Sequence, residues 1–226
     1  MLVQARDLCK DYRRGQERVE ALRSIDFELS AGDFAVIVGP SGGGKSTLLH
    51  LLGGMDRPTH GTLCVCGVNL DSASEEALNR FRREHVGFIF QFYNLIPSLN
   101  AAENVALPLL AQGARRAEAN RRALEVLDQV GIDHRMRHKP AELSGGEQQR
   151  VAIARAIAGG AGLVLADEPT GDLDAASAER IMQLMADLNR RSGITFIVAT
   201  HNPGFSRFAS QLYDLVDGQL SRRDKV

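Results

Sequence analysis

The sequence predicts an α/β fold: a parallel sheet with helices between its strands, a strand-rich first third and a helical insertion in the middle. Three observations predict it. Phe34-Ala35-Val36-Ile37-Val38 is apolar without interruption, as a strand buried on both faces is, and it runs into a glycine-rich loop. In the last third, residues 163–167, 175–191 and 194–200 read as strand, helix and strand, the order of a right-handed parallel crossover. Between these regions, residues 114–130 and 144–158 are rich in helix formers.

Taken in order, residues 2–7, 25–29, 34–38 and 61–65 are short apolar or alternating runs punctuated by Gly and Asp, and read as strands. Residues 46–55 read as a helix ending at Gly53-Gly54. Residues 94–159 form the helical insertion, in which Ala123, Leu124, Leu127 and Val130 supply an apolar face and Gly131 a stop. The helix at 175–191 stops at Gly193, and Asp217-Gly218 marks a closing turn. One domain over 1–226 is expected, with a core of about 1–93 and 160–226 and a helical part of about 94–159.

Composition narrows the classes. The 226 residues are 44% hydrophobic and 24% charged, which suits a globular chain. A formal net charge of −1 does not suit a nucleic-acid binder, so no nucleic-acid partner is expected. Cys9, Cys64 and Cys66 are odd in number and have no framework spacing, which argues against a secreted disulfide scaffold. Cys64 and Cys66 are expected on one face of a strand as small buried thiols. The N-terminus is too charged for an apolar leader, and no run of ~18 apolar residues could span a bilayer. Any membrane spans are expected from another chain.

The strongest local signal is Gly39-Pro40-Ser41-Gly42-Gly43-Gly44-Lys45-Ser46, followed by Thr47. It is a P-loop pattern lying between a predicted strand and a predicted helix. Glycines let backbone N–H groups curl around phosphates where a Cβ would obstruct, and the helix aims its positive end at the anion. Lys45 is placed to reach the β- and γ-phosphates and the Ser46 hydroxyl to ligate Mg²⁺.

Leu165-Ala166-Asp167-Glu168 puts two carboxylates at the end of a buried strand, where ligands of open α/β sheets bind. Asp167 is the candidate Mg²⁺ residue, and Glu168 the candidate that polarises an attacking water. Ser144 and Glu147 in Leu143-Ser144-Gly145-Gly146-Glu147 form a capping box. Two glycines in a first helical turn weaken the helix, yet they bare N–H groups at its positive end. The segment is thus either a plain helix start or a second anion contact.

With these motifs together, the chain resembles the ATP-binding-cassette ATPases of transporters. Leu143–Arg150 is similar to the family's signature motif, with a P-loop upstream and an Asp-Glu pair downstream. The resemblance implies a P-loop NTPase core with a mixed central sheet, an antiparallel N-terminal β subdomain and an inserted α-helical subdomain. It gives Tyr12 the role of stacking on adenine, against an ordinary surface aromatic. Gln91 resembles the glutamine that senses Mg²⁺ and the γ-phosphate. Asp172 and Asp174, in Gly171-Asp172-Leu173-Asp174, resemble the D-loop, and His201 resembles the switch histidine. Gly43 stands where many relatives have Ser, and Asp172 where they often have Asn or a small residue.

What the resemblance further implies is Mg-ATP held in a head-to-tail homodimer or pseudo-dimer. Ser144, Gly145, Gly146 and Glu147 of one subunit would face the ATP of the other. Lys45, Glu168 and His201 would be catalytic, and Ser46, Gln91 and Asp167 would serve the metal. The segments Phe90–Pro97 and Glu103–Leu109 resemble the lipoprotein-releasing and macrolide-exporting subgroup. That implies an integral membrane permease as partner, peripheral placement at the cytoplasmic face of the inner membrane, and a lipophilic or peptide-like cargo. The alternative is a cassette whose permease-like partner regulates a cell-wall hydrolase. Phe92, Tyr93, Leu95 and Ile96 would contact the permease or pack inside the helical part. The pairs Arg82-Arg83, Arg115-Arg116 and Arg121-Arg122 read as solvated helix faces.

Overall fold

A computed structural model describes residues 1–15 and 17–223. Strand β1 (Val3–Arg14) pairs antiparallel with β2 (Glu17–Leu29), and both are far longer than the apolar runs in the sequence. Alternation in the pair is broken by register shifts between Ala5 and Asp11, so only parts of it look like strand from sequence. Strand β3 (Phe34–Val38) follows, then the glycine-rich loop and helix α1 (Lys45–Leu52). Strands β4 (His60–Val65) and β5 (Val68–Asn69) complete a four-stranded antiparallel sheet in the order β2-β1-β4-β5.

Helix α2 (Glu75–His85) and strand β6 (Val86–Ile89) come next. The insertion then supplies α3 (Ala101–Ala111), α4 (Arg116–Gln129) and α5 (Gly145–Ala158). Strand β7 (Leu163–Asp167), helix α6 (Ala175–Ser192), β8 (Thr195–Thr200) and the hairpin β9 (Gln211–Val216) and β10 (Gln219–Arg223) close the chain. The second sheet has the order β10-β9-β3-β8-β7-β6. It is parallel except for β10, so the central sheet is mixed, as expected.

Period-two alternation explains how this sheet joins two cores. Phe34, Val36 and Val38 of β3, with Val164 and Ala166 of β7 and Phe196 and Val198 of β8, pack with the helices of the insertion and α6. Ala35 and Ile37, Leu163 and Leu165, and Ile197 and Ala199 point the other way, onto α1 and the antiparallel sheet. Both faces are covered, which is why these strands lack alternation in sequence. The strand ends that carry Val38, Asp167 and Thr200 therefore open on one edge, where the loops gather.

One sequence expectation fails. Cys66 lies past the end of β4 in a turn with φ 50°, so it does not share a strand face with Cys64. Both thiols, like Cys9, are half-buried and free. Among the described residues, no helix is long and apolar enough to cross a membrane.

Candidate active site

The glycine-rich loop is held by backbone contacts that only glycine permits. A Cβ on Gly39 would lie 2.1 Å from the Leu215 carbonyl oxygen, and one on Gly44 would lie 2.6 Å from that of Ala21. Gly42 and Gly44 adopt φ of 80° and 101°, in the left-handed region. A Cβ on Gly43 would lie 3.0 Å from Leu215 O, a tight approach that a small shift of that strand could relieve. Gly44 is the N-cap of α1 and offers no side-chain cap, so no N-cap side chain occupies the first-turn N–H groups of that helix, the groups an anion would use.

Lys45 is 6% exposed, and its ammonium donates to the carbonyls of Gly39 at 2.8 Å and Pro40 at 3.0 Å. It also lies 3.3 Å from Glu168 Oε1. The other Glu168 oxygen accepts from the His201 backbone N–H at 3.2 Å and stands 3.0 Å from His201 Nδ1. Glu168 itself has φ 46°, a conformation that a non-glycine residue adopts at some energetic cost. Its N–H donates to Ala199 O at 2.9 Å, and its carbonyl accepts from Gly171 N–H at 3.0 Å. The strained turn is thus pinned on both sides, and it aims the carboxylate between Lys45 and His201.

Lys45 and Glu168 border a cleft of about 590 Å³ that Ser41, Gly42, Gly44, Ser46, Thr47, Gln91 and Asp167 also line, while His201 is not part of its lining. Gly39, Pro40 and Gly43 are not part of that lining. Asp167 Oδ1 is buried with no hydrogen-bond partner. The hydroxyl of Ser46, the amide of Gln91 and the carboxylate of Asp167 line this cleft, and their oxygens are the kind of donor that suits Mg²⁺ with waters and phosphate completing it. The orphaned carboxylate oxygen is the acceptor such an ion would satisfy.

Tyr12 stands beside this cleft rather than in its lining. Its hydroxyl donates to Asp56 Oδ2 at 2.9 Å. Burial and this bond raise its pKa, while a hydrogen bond from Thr47 opposes them. Val19, Glu20, Ala21, Arg23, Asp217 and Gly218 also line the cleft, although no site motif in the sequence includes them. Only Asp217-Gly218 left a signal, a turn. That turn is stitched to the site by Gly218 N–H donating to Gly43 O and by Arg23 N–H donating to Gly218 O.

The signature segment opens a second cleft of about 300 Å³, lined by Ser144, Gly145, Gly146, Glu147, Asp172 and Asp174 among others. It shares no residue with the first. The capping box is formed: Ser144 Oγ accepts from Glu147 N–H, and Glu147 accepts from Ser144 N–H at 2.8 Å. The Ser144 backbone and hydroxyl, with help from Arg135, hold the Glu147 carboxyl below its usual value despite some burial. Asp174 caps α6, accepting from Ala176 and Ser177 N–H at 3.0 Å each. It therefore has a structural task of its own at the start of α6.

Gln91 leads into a loop in which Tyr93 and Asn94 both have positive φ. Arg155, on α5, donates to the carbonyls of both. Phe92 is 70% exposed and Ile96 41%, whereas Leu95 packs against the helical core. Of the four aromatic and aliphatic candidates, Phe92 and Ile96 point outward. The arginine pair on α4 is spent on its own helix, with Arg121 and Arg122 paired to Glu118 and Arg121 also to Glu125.

The glycine-rich loop and the start of α5 thus line two separate clefts, and comparison with known proteins gives the chain a family. Residues 22–171 match the model of the ABC transporter family. Two solved structures are each 40% identical to this chain, with a TM-score of 0.90, covering 99% of it and 98% of their own chains. One is a dimeric post-hydrolysis state of the ATP-binding cassette MJ0796 bound to ADP and Pi, and the other is dimeric MJ0796, a bacterial ABC transporter cassette. The chain belongs to the ABC transporter family and is one of its ATP-hydrolysing cassettes.

Proposed function

We propose that this chain is the Mg-ATP-driven subunit of a membrane transporter and that it works as a head-to-tail dimer. The observation that carries the reading is the separation of its two clefts. The P-loop cleft holds Lys45, Asp167 and Glu168 but none of the signature residues, which line a different cleft of the same chain. Two copies facing each other would close each ATP between the P-loop of one and Ser144, Gly145 and Gly146 of the other. The dimeric state of the similar cassette MJ0796, and its capture with ADP and Pi, support this reading.

In that arrangement Lys45 and the loop N–H groups hold the β- and γ-phosphates. The partner's glycine-rich helix start adds donors where charge develops, since catalysis of phosphoryl transfer is chiefly positioning and electrostatics. Ser46, Gln91 and Asp167 would hold Mg²⁺, which would supply charge neutralisation when bound. Glu168 accepts from or orients the attacking water, and the His201 contacts keep its carboxylate turned to the site. Asp172 and Asp174 lie on the dimer seam. Tyr12 offers a face to adenine. The catalytic core is about 1–93 and 160–226, with the helical part at about 94–159.

The work done is closure and reopening of the dimer, passed to an integral membrane permease at the cytoplasmic face of the inner membrane. The exposed Phe92 and Ile96, just after Gln91, are the contacts we assign to that permease. A lipophilic or peptide-like cargo follows from the subgroup resemblance.

The test compares wild type with Glu168→Gln. Wild type should hydrolyse ATP. The variant should bind Mg-ATP, turn over at least a hundredfold more slowly, and elute as a dimer only with nucleotide, about the loss expected for removing a group that orients the nucleophile. Full turnover by the variant would remove Glu168 from the mechanism. A monomer with bound ATP would remove the dimer. Co-purification from detergent-solubilised membranes identifies the permease, and a cell-wall hydrolase in place of a cargo would redirect the reading to regulation.

A further inference from the structure

Tyr12 is held by more of the chain than an exposed aromatic on a strand requires. The Lys10 ammonium lies over its ring, 5.0 Å from the centroid. That ammonium is itself fixed, donating to Asp56 Oδ1 at 2.6 Å and to Arg57 O at 2.7 Å. The second Asp56 oxygen accepts from the Tyr12 hydroxyl at 2.9 Å. Asp56 also accepts from the Arg57 N–H at 2.7 Å. Burial works to raise the Asp56 pKa, but the bonds from Lys10, Arg57 N–H and Tyr12 outweigh it and keep the carboxyl ionised. The Lys10 side chain is only 12% exposed, so this ion pair is largely shielded from water.

The ring therefore has one face under a cation, and its hydroxyl is clamped to the Asp56 carboxylate and hydrogen-bonded by Thr47 of the cleft, while the residue keeps 39% of its surface exposed. We infer that Lys10 and Asp56 are positioning residues that set the pitch of Tyr12 and so preorganise the base-stacking platform of the nucleotide site. The inference rests on the proposal that Tyr12 stacks on adenine. Asp56 follows the Gly53-Gly54 end of α1, the helix that begins with Lys45. One carboxylate thus ties the base platform to the far end of the phosphate-binding helix. A ring fixed in advance loses no rotamer freedom when the base arrives, which is where preorganisation gains affinity. Lys10 and Asp56 act on the base alone, through Tyr12, and touch no phosphate-binding group.

The experiment measures calorimetric affinity for ATP and for inorganic tripolyphosphate, which has no base, together with KM and kcat. Lys10→Met and Asp56→Asn should each weaken ATP by about three- to tenfold, the range of one partly desolvated cation–π contact. Tripolyphosphate affinity should hold, the loss should fall on KM rather than kcat, and Lys10→Arg should restore most of it. In a Tyr12→Leu background, Lys10→Met should add nothing further. Equal losses for ATP and tripolyphosphate, or additive losses in the Tyr12→Leu background, would overturn the inference and leave the adenine reading intact. Unchanged ATP affinity in Lys10→Met and Asp56→Asn, with weakened affinity in Tyr12→Leu, would do the same. If Tyr12→Leu binds ATP as wild type does, the adenine reading itself falls and this inference with it.

Discussion

Gly39 and Gly42 sit in the same loop and are constrained for opposite reasons. A Cβ on Gly39 would meet the Leu215 carbonyl at 2.1 Å, and that oxygen belongs to backbone that cannot rotate aside. A Cβ on Gly42 would meet nothing within 4 Å, yet φ there is 80°. Gly39→Ala must push the loop away from β9 and should destabilise by about 3 kcal/mol, the upper range for forced overpacking. Gly42→Ala only strains one dihedral and should cost about 1 kcal/mol. Urea unfolding of both variants checks the order, and a larger loss at Gly42 would refute this account of the loop. The sequence says that glycines belong here because phosphates need bare N–H groups. It is silent on Leu215, because that neighbour arrives from the far end of the chain. The same holds for Glu168: its place after a buried strand is readable, but its left-handed backbone and its two-sided pinning are set by Ala199 and Gly171.

Helix α5 shows the same division at the scale of an element. Its start was legible because Ser144 and Glu147 stand three apart ahead of an apolar face, and the box forms as spelled. Asn100 and Glu103 spell the same signal for α3 and form the same box. Periodicity does not reveal that helix, because α3 is apolar nearly all round and carries Pro108. Helix α2 is hard to see for the reverse reason: only Leu78 and Phe81 are buried in an otherwise polar stretch, although Ser74 caps it. Ser144→Ala should lower stability by about 1 kcal/mol in chemical denaturation, the usual value of an N-cap. Glu147 adds a pH dependence. Its folded pKa is lowered, so its contribution is complete above the usual carboxylate value and is lost as pH falls through the lowered one. Wild type should therefore exceed Glu147→Gln in thermal midpoint near neutrality, with the gap closing in acid. A gap independent of pH would mean that Glu147 acts by packing and not by its charge.

Across the whole molecule, sequence carried the parallel core further than the edges. Strands β3, β7 and β8 are buried on both faces and announce themselves as apolar runs, and the crossover rule then orders them. The long β1–β2 ribbon and the β9–β10 hairpin depend on register shifts and pairings that local pattern does not encode, and Val19, Glu20, Ala21 and Arg23 of β2, with Asp217 and Gly218 of the closing turn, border the cleft from there. The most consequential feature at this scale is that the P-loop and the signature line separate clefts of one chain. If each ATP is closed by two copies, a chain lacking Lys45 and a chain lacking a usable signature are defective in different halves. Lys45→Ala and Gly145→Asp should each be inactive alone. A 1:1 mixture should recover hydrolysis, because the mixed dimer holds one site with both an intact P-loop and an intact signature. At random pairing about half of the dimers are mixed and each has one complete site of two, so recovery should approach roughly a quarter of wild type if sites act independently. The activity should rise with protein concentration, since it depends on association. A mixture as inert as its components, in a sample shown by sizing to contain the mixed dimer with bound ATP, would mean that one complete site is not enough and that the two must fire together; a Gly145→Asp chain that hydrolyses ATP unaided would mean that the signature is not part of the site at all.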